Sequence, residues 1–271
     1  MFPNVNTTIL YKYKTVASIE QIFRMLRYGE LWFSSAKSFN DPFDTALTYN
    51  FDGLHTGLAE RWMDSAAEQH TPELSVEERA KFKVNRLHQI RTDPNEIENM
   101  RQGSIDKNYD SFGICSLSSS KDDILMWGHY SGGHSGICIG LDVLHIWDLS
   151  NRFAKTEELI DLVKVQYSPS QPQINFFQAM LGSDFSHVMQ FISTKFVNWS
   201  YENEFRLINW DHPDKPIIFG PEIILEVVFG LKVPIETKNA IVLFCRQHNP
   251  RVKFFQATKD LDDFKLNMIA L

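Results

Sequence analysis

The sequence predicts an α+β protein with a central mixed or antiparallel sheet, flanked by helices and carrying a helical insertion. Three observations lead there. Short runs that read as strands recur from Thr8 to Gln256, and Gly, Pro, Asn or Asp punctuate many of them. Apolar residues at helical spacing fall between several of these runs. From Asp52 to Asp110 the composition turns polar, charged and helix-favouring.

Thr8 to Lys14 reads as a strand. Ser18 follows as a helix N-cap before Ile19, Ile22, Phe23 and Leu26 at helical spacing, and Gly29 is a natural stop. Leu31 to Ser35 resumes as a strand. The chain therefore opens strand, helix, glycine, strand. Ser38 to Asp44 is a loop, because Asp41 precedes proline and Asn and Asp favour turns. Within 52–110, Ser75 and Glu78 form a capping box, and Leu74, Leu87 and Ile90 supply a buried stripe. This stretch is expected to be a helical insertion in a single domain spanning 1–271.

Further strands are expected at Phe112–Leu117, Gly136–Asp142, Leu162–Tyr167, Glu204–Ile208, Ile223–Phe229 and Val252–Gln256. A short helix starts near Asp122 and runs to His129. Phe185, Val188, Met189, Ile192 and Phe196 mark a long amphipathic helix, and Glu236–Gln247 a final one.

Composition limits the function classes. The chain has 271 residues, 43 % of them hydrophobic, which is enough for a sizeable core. Its formal charge is −7 and it has no Lys/Arg run, so a general nucleic-acid binder is not expected. The three cysteines fit small buried thiols in a reducing compartment. No basic start leads into an apolar stretch, and Glu222, Glu226 and Lys232 interrupt the apolar region Pro216–Pro234. A cytoplasmic location away from membranes is the default.

Three segments carry candidate chemistry. If Tyr201–Ile208 is a strand, Glu202, Glu204 and Arg206 share one face, and Phe205 and Leu207 the core face. Close carboxylates push one another's pKa values apart, as catalytic sites often require. A surface ladder of charge pairs has the same pattern. The second segment, Met126–Gly136, combines Trp127, Tyr130, His129, His134 and several glycines. Its aromatics can stack on a flat ring, while its two histidines have no third ligand in register for a metal. A helix running into a tight turn is the alternative. The third is the polar loop after a strand end that holds Asn40 and Asp41. No dinucleotide fingerprint, Walker loop or nucleophile elbow is present.

Together these segments resemble the bacterial family called domain of unknown function 2971. The resemblance runs through Leu10–Tyr13, Leu31–Ser34, Phe39–Asp44, Ile124–Trp127, His134–Gly140 and Trp199–Arg206. A more distant resemblance is to the ADP-ribosyltransferase fold, whose opening order and later Glu-x-Glu motif are similar. That resemblance implies an NAD- or nucleotide-dependent enzyme. Glu204 would hold the ribose and stabilise an oxocarbenium-like transition state, and Glu202 would orient or deprotonate an acceptor that the sequence does not identify. Lys12 would stand on the first strand, with Asn40, Asp41, Trp127, Tyr130, His134 and Arg206 completing the substrate site. No metal is implied. The alternative is a non-catalytic ligand-binding or sensor module in a stress or phage-defence setting, with Glu202, Glu204 and Arg206 as a structural network. A two-carboxylate glycosidase fits less well, since residues two apart on one strand need not flank a sugar. The enzyme reading expects Lys12, Asn40–Asp41, Trp127–His134 and Glu202–Arg206 to line one pocket.

Overall fold

The computed structural model describes residues 9–46, 48–109, 111–153, 160–182, 186–210 and 213–271. Thr8, Asp110, Phe185 and His212 lie outside them. The chain divides into two compact units. One comprises Met1–Asn40, Ser111–Tyr167 and Val197–Leu271; the other comprises Asp41–Asp110 and Ser168–Phe196.

The first unit contains an eight-stranded sheet. Its spatial order is Leu266–Ala270, Lys253–Lys259, Ile224–Phe229, Ile137–Asp142, Ile9–Lys14, Phe112–Ser118, Glu204–Trp210, Ile160–Lys164. Ile224–Phe229 and Lys253–Lys259 run parallel, and the other neighbours are antiparallel. The sheet is therefore mixed and the class α+β, as the sequence predicts.

Alternation along each strand gives the sheet two distinct faces. On one, Leu10, Cys115, Leu117, Ile139, Phe205, Leu207 and Val227 form a core with Ile22, Met25 and Leu26 of the Ile19–Tyr28 helix. Ile146 of Val143–Phe153 and Ile241 of Ile235–His248 join it. Each fully buried Leu or Ile contributes roughly 1.5–3 kcal/mol. On the other face, Tyr11, Tyr13, Cys138 and Val228 pack with Met126 and Trp127 of the Ile124–Tyr130 helix. All three cysteines are buried and free.

Several local signals act as expected. Gly29 ends its helix in the left-handed conformation at φ 62°, donating its N–H to the Met25 carbonyl at 2.8 Å. In the second unit, Ser75 and Glu78 form the capping box of Val76–Thr92, with Leu87 and Ile90 buried. The helices Gly57–His70 and Pro94–Tyr109 complete the expected helical stretch. Tyr49, Phe51, Trp62, Phe176 and Phe177 form an aromatic cluster in the same unit. No helix of the described residues is long and apolar enough to cross a membrane.

Other elements differ from expectation for identifiable reasons. Ser18 makes no side-chain cap; the Thr15 hydroxyl instead accepts from Ala17 N in a preceding 3-10 turn, Val16–Ser18. The short helix expected from near Asp122 is Ile124–Tyr130, capped by Asp123, which accepts from Leu125 N and Met126 N, both at 2.9 Å. The Leu162–Tyr167 strand is interrupted at Val165: its N–H still donates to the opposite Glu204 carbonyl at 3.0 Å, but the Glu204 N–H goes to Tyr167 Oη at 2.8 Å, so the ladder closes there. The helix expected to reach Phe196 is Ser186–Ile192. Ser193 and Thr194 hydroxyls donate to the Met189 and Gln190 carbonyls, satisfying its last turn, and Thr194–Phe196 is a strand. The helix Val143–Phe153 and the strands Lys215–Ile218 and Leu266–Ala270 were not foreseen.

Asn209 is an anomaly in the core. It follows Phe205 and Leu207 on the apolar face and is fully buried, yet neither its Oδ1 nor its Nδ2 has a hydrogen-bond partner. An unsatisfied buried polar group costs about 1–3 kcal/mol. Asn209→Leu, close in size, is therefore expected to raise stability by about 1–2 kcal/mol. Urea unfolding with an unchanged m-value checks this; a lower midpoint would show that the amide is needed.

Candidate functional site

Glu202, Glu204 and Arg206 are gathered where the Glu204–Trp210 strand begins. Glu202 does not reach this place by strand alternation. It ends a 3-10 turn, Val197–Glu202, and Asn203 then takes a left-handed φ of 44°. Asn tolerates that conformation well, so it resets the backbone before the strand starts. The Asn203 carbonyl accepts from Ser119 N at 3.1 Å, which ties the turn to the neighbouring strand end.

The three side chains are not a surface ladder. Glu202 and Glu204 are each 3 % exposed and Arg206 is 0 % exposed. Arg206 grips Glu204 with two donors, Nε to Oε1 at 2.8 Å and Nη2 to Oε2 at 3.1 Å. Residues two apart on a strand share a face, and the planar guanidinium fork matches a carboxylate edge. The Phe39 ring lies 5.5 Å from the guanidinium carbon. Tyr167 Oη accepts the Glu204 N–H at 2.8 Å, fixing the strand's first residue.

Glu202 is held separately. Tyr130 Oη donates to its Oε1 at 2.5 Å, and Ser118 Oγ donates to its carbonyl at 2.6 Å. Tyr130 comes from the end of the Ile124–Tyr130 helix, so helix and strand start are joined through a carboxylate. The His129 and Tyr201 rings lie 6.1 Å apart beside this junction.

Register shows what else shares this face. Glu204 pairs with Ser118, Ser118 with Tyr11, Tyr11 with Gly140 and Gly140 with Glu226. Directly opposed antiparallel residues project to the same side, so this row crosses five strands on one face. Lys121 Nζ pairs with Glu226 at 2.8 Å and lies 4.6 Å from the Phe255 ring centroid. Burial and the nearby Glu226 carboxylate push the Tyr11 hydroxyl's pKa up.

The residues predicted to converge are distributed as follows. Tyr130, Glu202, Glu204 and Arg206 come together. Trp127 is one turn before Tyr130 on the same helix but fully buried. It packs edge-on against Tyr13 and donates its indole N–H to the Lys121 carbonyl at 2.9 Å, so it is a core residue rather than a stacking platform. His134 stands in the turn after the helix with φ 70°, its ring parallel to Trp127. Burial and the charges of Lys232 and Lys259 keep its pKa below the usual value.

Lys12 is on the opposite face of the sheet. It pairs with Ile139, a residue of the apolar core, while its neighbours Tyr11 and Tyr13 face the Trp127 side. Its ammonium donates to the Ser116 carbonyl at 2.7 Å. Asn40 is exposed at the end of the first unit's opening segment. Asp41 begins the second unit and shapes its own turn, accepting from Phe43 N at 2.9 Å. Sequence reasoning missed Ser118, Tyr167 and Phe39 as partners, since each lies far from Glu202–Arg206 in the chain.

Neither the curated proteins nor the solved structures yielded a match to this chain. Residues 126–207 contain the Trp127–His134 segment, Tyr130 and the Glu202–Arg206 cluster, and over them the chain matches the family described as Protein of unknown function (DUF2971).

Proposed function

We propose that the protein is a non-catalytic ligand-binding module in which Glu202, Glu204 and Arg206 form a structural polar network. The observation that supports this reading is the two-point contact of Arg206 on Glu204, with both side chains buried. A carboxylate that stabilises a developing cation must present its charge to substrate. Glu204 presents its charge to a guanidinium that is fixed on the same strand. Glu202 accepts the Tyr130 hydroxyl and locks helix to strand, which is a positioning task.

The test compares wild type, Glu204→Gln and Glu202→Gln. Each is incubated with NAD⁺, nicotinamide release is followed, and thermal unfolding is measured in parallel. The expected result is no nicotinamide release by wild type, together with a lower melting temperature for Glu204→Gln. Nicotinamide release by wild type that Glu204→Gln abolishes without loss of stability would overturn the reading in favour of NAD-dependent ADP-ribosyl chemistry.

A further inference from the structure

The opening strand–helix–strand segment, with Cys115 and Pro216, lines a part-open cavity of about 380 Å³ within the first unit. That volume lies within the range of small-molecule sites. Its walls follow from local structure. Lys12 and Lys14 are two apart on one strand and project to the same side. Gln21, Arg24 and Met25 come from the helix that follows. Glu30, Trp32 and Ser34 alternate along the next strand and its extension.

The charge of this cavity is unusual for a chain of net charge −7. Arg24 and Glu30 pair with each other through two contacts and cancel. Lys12 donates to the Ser116 carbonyl at 2.7 Å and Lys14 to Gln21 Oε1 at 3.2 Å. Both partners are neutral, and among the described residues no carboxylate lies within ion-pairing distance of either ammonium. Two lysines are thus part-buried side by side without a counter-charge. Burial, and secondarily the Lys12 charge, lowers the Lys14 pKa. Such an arrangement costs free energy unless an anion fills it. Each ammonium has three protons and spends one in the contacts above, so donors remain for a ligand.

At the cavity wall Trp32 is half-exposed and stands opposite Pro216 on the paired strand. An indole face in this position suits a flat ring. We propose that this cavity binds a nucleoside monophosphate, with the phosphate between Lys12 and Lys14 and the base on Trp32. A phosphate dianion matches two ammoniums better than a carboxylate does, and the volume suits one nucleotide unit. The site gives the binding-module reading a ligand class, and it lies on the sheet face away from Glu204.

The test is calorimetry on the whole protein at low ionic strength. AMP, GMP, CMP and UMP are titrated separately, with inorganic phosphate and adenosine as the partial ligands. Saturable binding of at least one nucleotide is expected, tighter than either partial ligand. Lys14→Gln should weaken it roughly tenfold or more, about 1.4 kcal/mol. Lys14→Arg, which keeps the charge, should retain most of the affinity. Trp32→Ala should weaken the nucleotide and leave inorganic phosphate unchanged. Thermal unfolding of each variant confirms folding. No saturable binding of any nucleotide by wild type, or binding indifferent to both Lys14→Gln and Lys12→Gln, overturns the proposal. NAD⁺ turnover that depends on Glu204 would overturn the non-catalytic reading while leaving the Lys14 result as measured, so the two failures are distinguishable.

Discussion

Arg206→Ala will destabilise the protein by about 3–5 kcal/mol, the loss expected when one member of a buried ion pair is removed. The loss does not come from a strong bond being cut. It comes from the partner left behind. Glu204 is 3 % exposed and would lose the guanidinium that grips both its oxygens, in a place water does not reach easily. Surface pairs behave otherwise; Lys83 with Asp64 and Lys265 with Asp263 stay hydrated, and removing one partner should change stability little. The measurement is urea unfolding of Arg206→Ala, Glu204→Leu and the double variant Glu204→Leu/Arg206→Met. The double variant should recover most of the loss, because it removes both members of the pair together. Simple addition of the two single losses would show that the residues act independently, against the geometry at 2.8 and 3.1 Å.

Gly29→Ala will cost more than about 3 kcal/mol, because two separate penalties coincide. The residue has φ 62°, a conformation that strains any side chain. A Cβ there would also stand 2.0 Å from the Gly220 carbonyl oxygen. Relief by backbone movement is blocked, since Gly220 N–H is bonded to the Tyr28 carbonyl at 2.9 Å and Phe219 N–H to the Gly29 carbonyl at 3.3 Å. Gly103→Ala is the control. Gly103 is exposed within the Pro94–Tyr109 helix with nothing within 4 Å of an added Cβ, so this change should stabilise by about 0.5–1 kcal/mol. Opposite shifts in the unfolding midpoints check both statements at once.

Gly29 also illustrates what could be read in advance. A glycine after a helical run predicts its own φ, because the cause lies within one turn of chain. The Ser75–Glu78 box was legible for the same reason, and most strands were legible as short runs bounded by turn residues. The Glu202–Arg206 cluster was visible as a pattern, but its environment was not. Charges at every second position look the same in water and under cover. What covers them here is a helix some seventy residues earlier, Ile124–Tyr130, and a loop residue, Phe39. The place of Glu202 depended on the single left-handed residue Asn203, which a strand pattern running through it conceals. Lys12 could be placed on the first strand, but its face was set by pairing with Ile137–Asp142. Had the face been known, Lys14 would have followed by alternation, and with it the basic cavity.

The central position of Ile9–Lys14 has a consequence for how the molecule comes into being. This strand lies between Phe112–Ser118 and Ile137–Asp142, although it is made more than a hundred residues before the first of them. Loop closure over such distances is entropically slow, so pairing of distant strands makes folding a late and slow event. On the ribosome the first strand emerges with both edges unpaired and waits for partners that do not yet exist. Its lysines at positions 12 and 14 then serve a purpose separate from any ligand. Charge on one side of an open strand discourages pairing with a neighbouring nascent copy during that wait.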